Sequence, residues 1–139
     1  MKDLPLSEIT LRKYEKPGSL EKRELIKKIC LSLGLLQLAD SRDVIVDILM
    51  VLIDSSKAKQ GLTSDEIRLK VEDLRKKYSL ETKGLAESNI RRQLKRLMDS
   101  MIIERAENKY YLSEFVSLKE IFEKRFEQFI IPQTIERIK

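Results

Sequence analysis

Residues 88–96 read SNIRRQLKR, a stretch with four basic side chains and no acidic one. Ile90 and Leu94 stand four apart inside it, and Leu97 follows three later. On a helical wheel of about 100° per residue, Leu94 and Leu97 fall within about 40° of Ile90. Ser88, Arg92, Lys95 and Asp99 fall near the opposite side, with Asn89 and Arg96 on one flank and Arg91 on the other. Such a helix can seat one face on a core and turn the other toward an anion. A guanidinium fork meets two acceptors at once, so Arg92 suits the major-groove edge of guanine, and the Asn89 amide suits that of adenine. Ser88 stands early enough on the same face to reach a base edge. Arg91, Lys95 and Arg96 are placed for phosphate oxygens. The blander reading of the pattern is a structural helix with a solvated basic face.

The rest of the inventory excludes much other chemistry. The 139 residues include no histidine and one cysteine, Cys30. Cys/His zinc sites, Ser-His-Asp triads and Cys-His dyads are therefore ruled out. One cysteine cannot form an internal disulfide, which fits a reducing cytoplasm. Cys30 stands in an apolar stripe and reads as a core thiol. Carboxylates are plentiful but alternate with Lys and Arg, as in EKRE (21–24) and EDLRKK (72–77), and read as helix-surface charge. No glycine-rich phosphate loop or metal motif occurs, so no cofactor and no enzymatic activity are expected. The net charge of +5 leans toward anionic partners. The N-terminal stretch MKDLPLSEIT lacks the apolar run of a signal peptide. The apolar run VIVDILMVLI at 44–53 is about half the length that spans a bilayer, so no membrane partner is expected.

Periodicity supplies the elements that must position the basic face. Residues 1–18 form a basic arm around LRKYEK, bracketed by Pro5 and the KPGS turn. Ser19 caps a first helix over about 20–33, with Leu25, Ile26, Ile29, Cys30 and Leu33 at helical spacing and Gly34 at its end. Asp40 or Ser41 starts a second helix over about 42–58 that carries the apolar run. Thr63 and Glu66 make a capping box for a third, about 64–78, with Ile67, Val71, Leu74 and Tyr78 on one face. The basic helix is the fourth, about 87–100. Ile102 and Ile103, then 110–112, are β-prone pieces either side of a polar turn at 106–109, which predicts a hairpin. Ser117 and Glu120 open a last helix with Leu118, Ile121, Phe122, Phe126, Phe129 and Ile130 at helical spacing; Pro132 breaks it or opens a short final one.

The order helix, helix, basic helix, hairpin resembles a winged helix-turn-helix domain. The resemblance rests on LTSDEI, ESNIRRQLKRL and IIERAENKYYLSE as second helix, third helix and wing, and covers about half the chain. From EITLRKYEKP onward, the chain also resembles an archaeal group of predicted winged-helix transcriptional regulators. Two features depart from the pattern: Met101 stands where a glycine usually follows the third helix, and the link between second and third helices exceeds three to four residues. The resemblance implies a mainly α fold, a three-helix core plus a small β-hairpin wing with extra N- and C-terminal helices. Its parts are the arm at 1–18, an N-terminal helix at 19–39, the winged domain at 40–112 and a C-terminal helix at 113–139. It implies sequence-specific binding of double-stranded DNA in transcriptional regulation; Arg105 and Lys109, by their place on the hairpin, are set to touch the backbone or the minor groove. The C-terminal helix packs either on the first helix or on a second chain; such helices are often dimerisation elements, so a homodimer through Leu118, Ile121, Phe122, Phe126 and Phe129 is expected. RNA or ribosome binding and protein-only interaction are the alternatives.

Overall fold

The computed structural model of the chain describes residues 8–10, 18, 21–37 and 43–139. Its helices follow the apolar spacing. α1 (Lys22–Ser32) buries Ile26 and Cys30. α2 (Val44–Lys57) buries every residue from Val44 to Leu52. α3 (Ser64–Lys77) buries Ile67 and Val71, and α4 (Glu87–Asp99) buries Ile90, Leu94 and Leu97. The strands β1 (Ile103–Ala106) and β2 (Lys109–Leu112) pair antiparallel. The described residues are thus mainly helical with one small two-stranded sheet. α2 touches α1, α3, α4 and β2. Each fully buried Leu or Ile stabilises by about 1.5–3 kcal/mol, so α2 is the post on which the others lean. Cys30 lies inside this core, where burial pushes its thiol up to about 12.

Helix ends are closed locally. Thr63 accepts from the Glu66 amide, and Glu66 reaches back to the Thr63 amide, both at 3.2 Å. Those bonds from Thr63 hold the Glu66 carboxyl below its ordinary value. Ser19, Asp40 and Ser41 lie outside the described residues, as does LRKYEK of the arm. α1 starts at Lys22 after Glu21, and α2 at Val44 after Asp43, neither with a side-chain cap. At their C-termini α1 to α4 share one device. The residue two beyond the last helical one turns left-handed: Gly34, Lys59, Ser79 and Met101, at φ of +71°, +53°, +54° and +62°. The next amide then bonds back five residues, as Leu35 does to Cys30 and Ile102 to Leu97. Met101 takes up the conformation that a glycine would adopt without strain.

The hairpin closes through Glu107 and Asn108, both at positive φ, the two-residue turn whose twist matches antiparallel strands. Its outer edge is tied to the helices. Leu62, just before α3, exchanges both backbone hydrogen bonds with Tyr110, at 3.0 and 2.7 Å. Gly61 permits this approach, since a Cβ there would stand 2.9 Å from the Cβ of Lys109.

Two of the charged stretches are not surface charge throughout, contrary to the expectation from their sequence. Arg23 of EKRE and Arg75 of EDLRKK do not lie on the surface; they are only 5% and 4% exposed. The cause is Asp47, fully buried in the middle of the apolar run. Arg23 Nε donates to Asp47 Oδ1 at 3.0 Å, and an Arg75 Nη donates to Oδ2 at 2.6 Å. Asp43 accepts from both arginines at 2.9 Å, and Arg75 Nε donates to the Glu81 carbonyl. A buried carboxylate is tolerable only when paired, and this quartet pins α1, α2, α3 and the loop after α3 together. Burial alone would raise the Asp43 carboxyl, but the hydrogen bonds from Arg23 and Arg75 outweigh it and hold it below the usual carboxylate range.

Ser117 caps α5 (Leu118–Ile121) by accepting from the Glu120 amide. The helix continues through Phe122–Ile130 in a wider turn, where the Ile131 amide bonds five residues back to Phe126, and passes into α6 (Ile131–Ile138). Pro132 thus stands in the first turn of the short final helix, as one of the two expected outcomes has it, and the backbone stays helical through Ile130 where the two segments join. A proline ring collides with the carbonyl four residues back in a tight α-helix, and the widened turn before it gives that ring room. The run docks at the end of α4 and the start of the hairpin: Arg125 donates to the Met101 carbonyl at 3.1 Å and to Glu104 at 3.4 Å. Ile121 and Phe126 are buried there, with Phe122 stacked on Phe126. Among the described residues no helix is long and apolar enough to cross a membrane.

Candidate nucleic-acid interface

Three side chains seat α4 on the core. Ile90, Leu94 and Leu97 are fully buried against a core that α2 and α3 share. The spacing that buries them turns Ser88, Arg91, Arg92 and Lys95 out to solvent, and all four are exposed. Among the described residues, Arg92 makes no hydrogen bond or ion pair, so its fork is unengaged. Arg91 pairs with Glu87 at 2.6 Å and Lys95 with Asp99 at 3.2 Å, each one helical turn apart. Such exposed pairs are worth only about 0.3–0.5 kcal/mol, so a phosphate can displace the carboxylate cheaply.

The flank of α4 is arranged differently. Asn89 is half-buried; its Nδ2 donates to the Gly84 carbonyl at 2.7 Å, and its Oδ1 accepts from Gln93 at 3.1 Å. An adenine edge would have to replace both bonds. Arg96 donates to Gln93 Oε1 at 2.9 Å and to the Leu35 carbonyl at 2.8 Å, so its guanidinium is turned toward the end of α1. The first turn of α4 follows Ala86, which offers no side-chain cap.

The hairpin stands beside the helix as the sequence order requires, and α4 touches β1. Arg105 is exposed, donates to Asn108 at 2.7 Å and lies 5.6 Å from the centre of the Tyr110 ring. Lys109 is exposed next to Gly61. Glu107 at the turn and Glu104 on β1 offset these two cations, so the hairpin is nearly neutral. Asp65 and Glu66 make the first turn of α3 acidic. Of these three elements, α4 carries the most exposed cations, Arg91, Arg92 and Lys95 on its outer face with Arg96 on its flank.

Among the residues expected to make a dimer contact, Ile121 and Phe126 are used inside the chain, and Leu118 packs against its core. Phe122 is half-buried, and Phe129 is 59% exposed. Ile135 and Ile138 on α6 are also exposed, and α6 buries no residue in its own chain.

Sequence reasoning missed three contributors: Gln93, the pairing of Leu62 with Tyr110, and the quartet around Asp47. Only the last had a visible signal, an aspartate inside VIVDILMVLI, since a charge in so apolar a run needs a partner. Comparison of the chain with protein-family models, with curated proteins and with solved structures finds no match.

Proposed function

We propose that this chain is a winged helix-turn-helix protein that binds double-stranded DNA through the outer face of α4 and regulates transcription. The observation that carries the reading is the division of α4. One face is sealed into the core by Ile90, Leu94 and Leu97, and the other presents Ser88, Arg91, Arg92 and Lys95 with Arg92 unengaged. A helix enters the major groove in this manner, with its early residues at base edges and its longer cations at phosphates. Arg92 and Ser88 read bases; Arg91 and Lys95 hold phosphates; Arg105 and Lys109 add backbone contacts from the hairpin. The protein works as a homodimer, its second α4 set along the duplex by two-fold symmetry. The exposed Phe129, Ile135 and Ile138 support that part of the reading.

The experiment is crosslinking of tagged protein in cells, followed by sequencing of the nucleic acid recovered. A small set of genomic sites beside promoters is the expected result. Enriched ribosomal or transfer RNA would move the same helix face to an RNA-binding role. Recovery of no nucleic acid would leave the basic face to a protein partner and end the reading.

A further inference from the structure

Gln93 joins two residues that the sequence pattern offers as nucleic-acid contacts. Its nitrogen donates to Asn89 Oδ1 at 3.1 Å, and its oxygen accepts from Arg96 at 2.9 Å. Both ends of this line are fixed to backbone. Asn89 donates to the Gly84 carbonyl at 2.7 Å, and Arg96 to the Leu35 carbonyl at 2.8 Å, a residue 61 positions away in sequence. Each of the three side chains donates at least one hydrogen bond along the line. The three side chains occupy one flank of α4, so the line runs about 10 Å along it at 1.5 Å per residue. It links the loop before α4 to the turn after α1.

Apolar seats resist lifting of a helix but resist rolling and sliding less, because their contacts are not directional. Two backbone anchors on one flank supply the missing direction. The far anchor is itself braced: Leu35 and Leu36 donate to the Cys30 carbonyl, the Thr10 amide donates to the Ser32 carbonyl at 2.8 Å, and Glu8 packs on Gly34. Rotation of α4 about its axis would sweep Arg92 and Ser88 across the face presented to a ligand.

We propose that Asn89, Gln93 and Arg96 form a positioning ladder that sets the roll of α4, and that they serve nucleic-acid binding through that placement without touching nucleic acid. The proposal rests on the DNA-binding reading for its functional consequence and on geometry alone for the ladder. It removes Asn89 from the base readers and Arg96 from the phosphate contacts. Gln93, which carries no charge, becomes a positioning residue for specificity.

Two measurements test it. The first compares binding to a selected duplex and to a random-sequence duplex over a range of salt. Gln93→Leu cuts both rungs without changing charge. It is expected to weaken binding to the selected duplex roughly tenfold while leaving random-duplex affinity and the salt slope in place. Arg96→Met is expected to behave likewise, whereas Lys95→Gln lowers the salt slope by about one. A fall of about one in the slope for Arg96→Met, or an equal loss on both duplexes for Gln93→Leu, would overturn the proposal. The second measurement needs no nucleic acid. Amide hydrogen exchange in Gln93→Leu is expected to quicken together at Asn89 and Ile90 and at Leu35 and Leu36. Quickening at one end only, or at neither, would show that no ladder couples them. Coupled exchange in a protein that binds no duplex would keep the ladder and remove the DNA reading.

Discussion

Arg92 and Asp47 show how differently a charge is used on the two sides of this fold. Arg92 is exposed to solvent and makes no partner among the described residues. Its truncation therefore tests base reading with little structural cost. In Arg92→Ala, thermal stability is expected to stay within about 0.5 kcal/mol, while discrimination between a selected duplex and its single-base variants falls by about 1–3 kcal/mol at one position. Competition binding measures the second quantity and thermal melting the first. Asp47 is the reverse case, a charge whose partners are all inside. Asp47→Ala leaves the two buried arginines, Arg23 and Arg75, to share Asp43 alone and should cost about 3–5 kcal/mol in urea unfolding. Asp43 adds a pH signature. Its carboxyl is held below the ordinary range in the fold. Its contribution is therefore complete above about pH 4, the unfolded value, and is lost as pH falls through the lowered folded one. Asp43→Asn should be less stable than the parent at neutral pH, with the gap narrowing in acid.

At the scale of elements, three of the four left-handed helix ends, Lys59, Ser79 and Met101, carry strain. Glycine takes this conformation freely, and other residues at a cost of about 1 kcal/mol. Ser79 is exposed at such a position, with φ +54° and no side-chain packing to lose. Ser79→Gly should raise stability by roughly 0.5–1 kcal/mol, read as a higher melting temperature. The same positions explain what was legible beforehand. The end of α1 could be read because Gly34 announces it, whereas Lys59, Ser79 and Met101 announce nothing, since their conformation is imposed by the bond that the next amide makes. The core face of α4 was legible because Ile90, Leu94 and Leu97 repeat at helical spacing, and the hairpin because β-prone residues flank a polar turn. Its tie to Leu62 was not, because a single backbone pairing leaves no periodic trace. Nor was the tie of Arg96, an exposed residue, to a backbone carbonyl 61 residues away. An arginine on a wheel looks the same whether it faces solvent or a carbonyl.

The whole molecule has a sealed half and an open one. The quartet, the apolar run of α2 and the α4 ladder fasten the helices to each other, while the last helical run leaves the fold after Phe126. Short isolated helices are marginal in water, and α6 buries none of its residues in its own chain, so its apolar side chains are suited to a second copy. Ile135 and Ile138 are 48% and 80% exposed, so charge placed there does not disturb the core. Sedimentation equilibrium should find a dimer in the parent and a folded monomer in Ile135→Asp; a parent that sediments as a monomer would remove the two-fold part of the account. The outer face of α4 is the central claim, and the salt dependence of duplex binding tests it most directly. Each phosphate contact by a lysine or arginine contributes about 0.9 to the slope of log affinity against log salt. The parent should therefore bind duplex DNA with a steep negative slope, and a variant with Arg91, Arg92 and Lys95 all changed to Gln should show a slope shallower by about two to three. A slope near zero in the parent, or one that the triple change leaves untouched, would contradict the claim that this face meets nucleic acid.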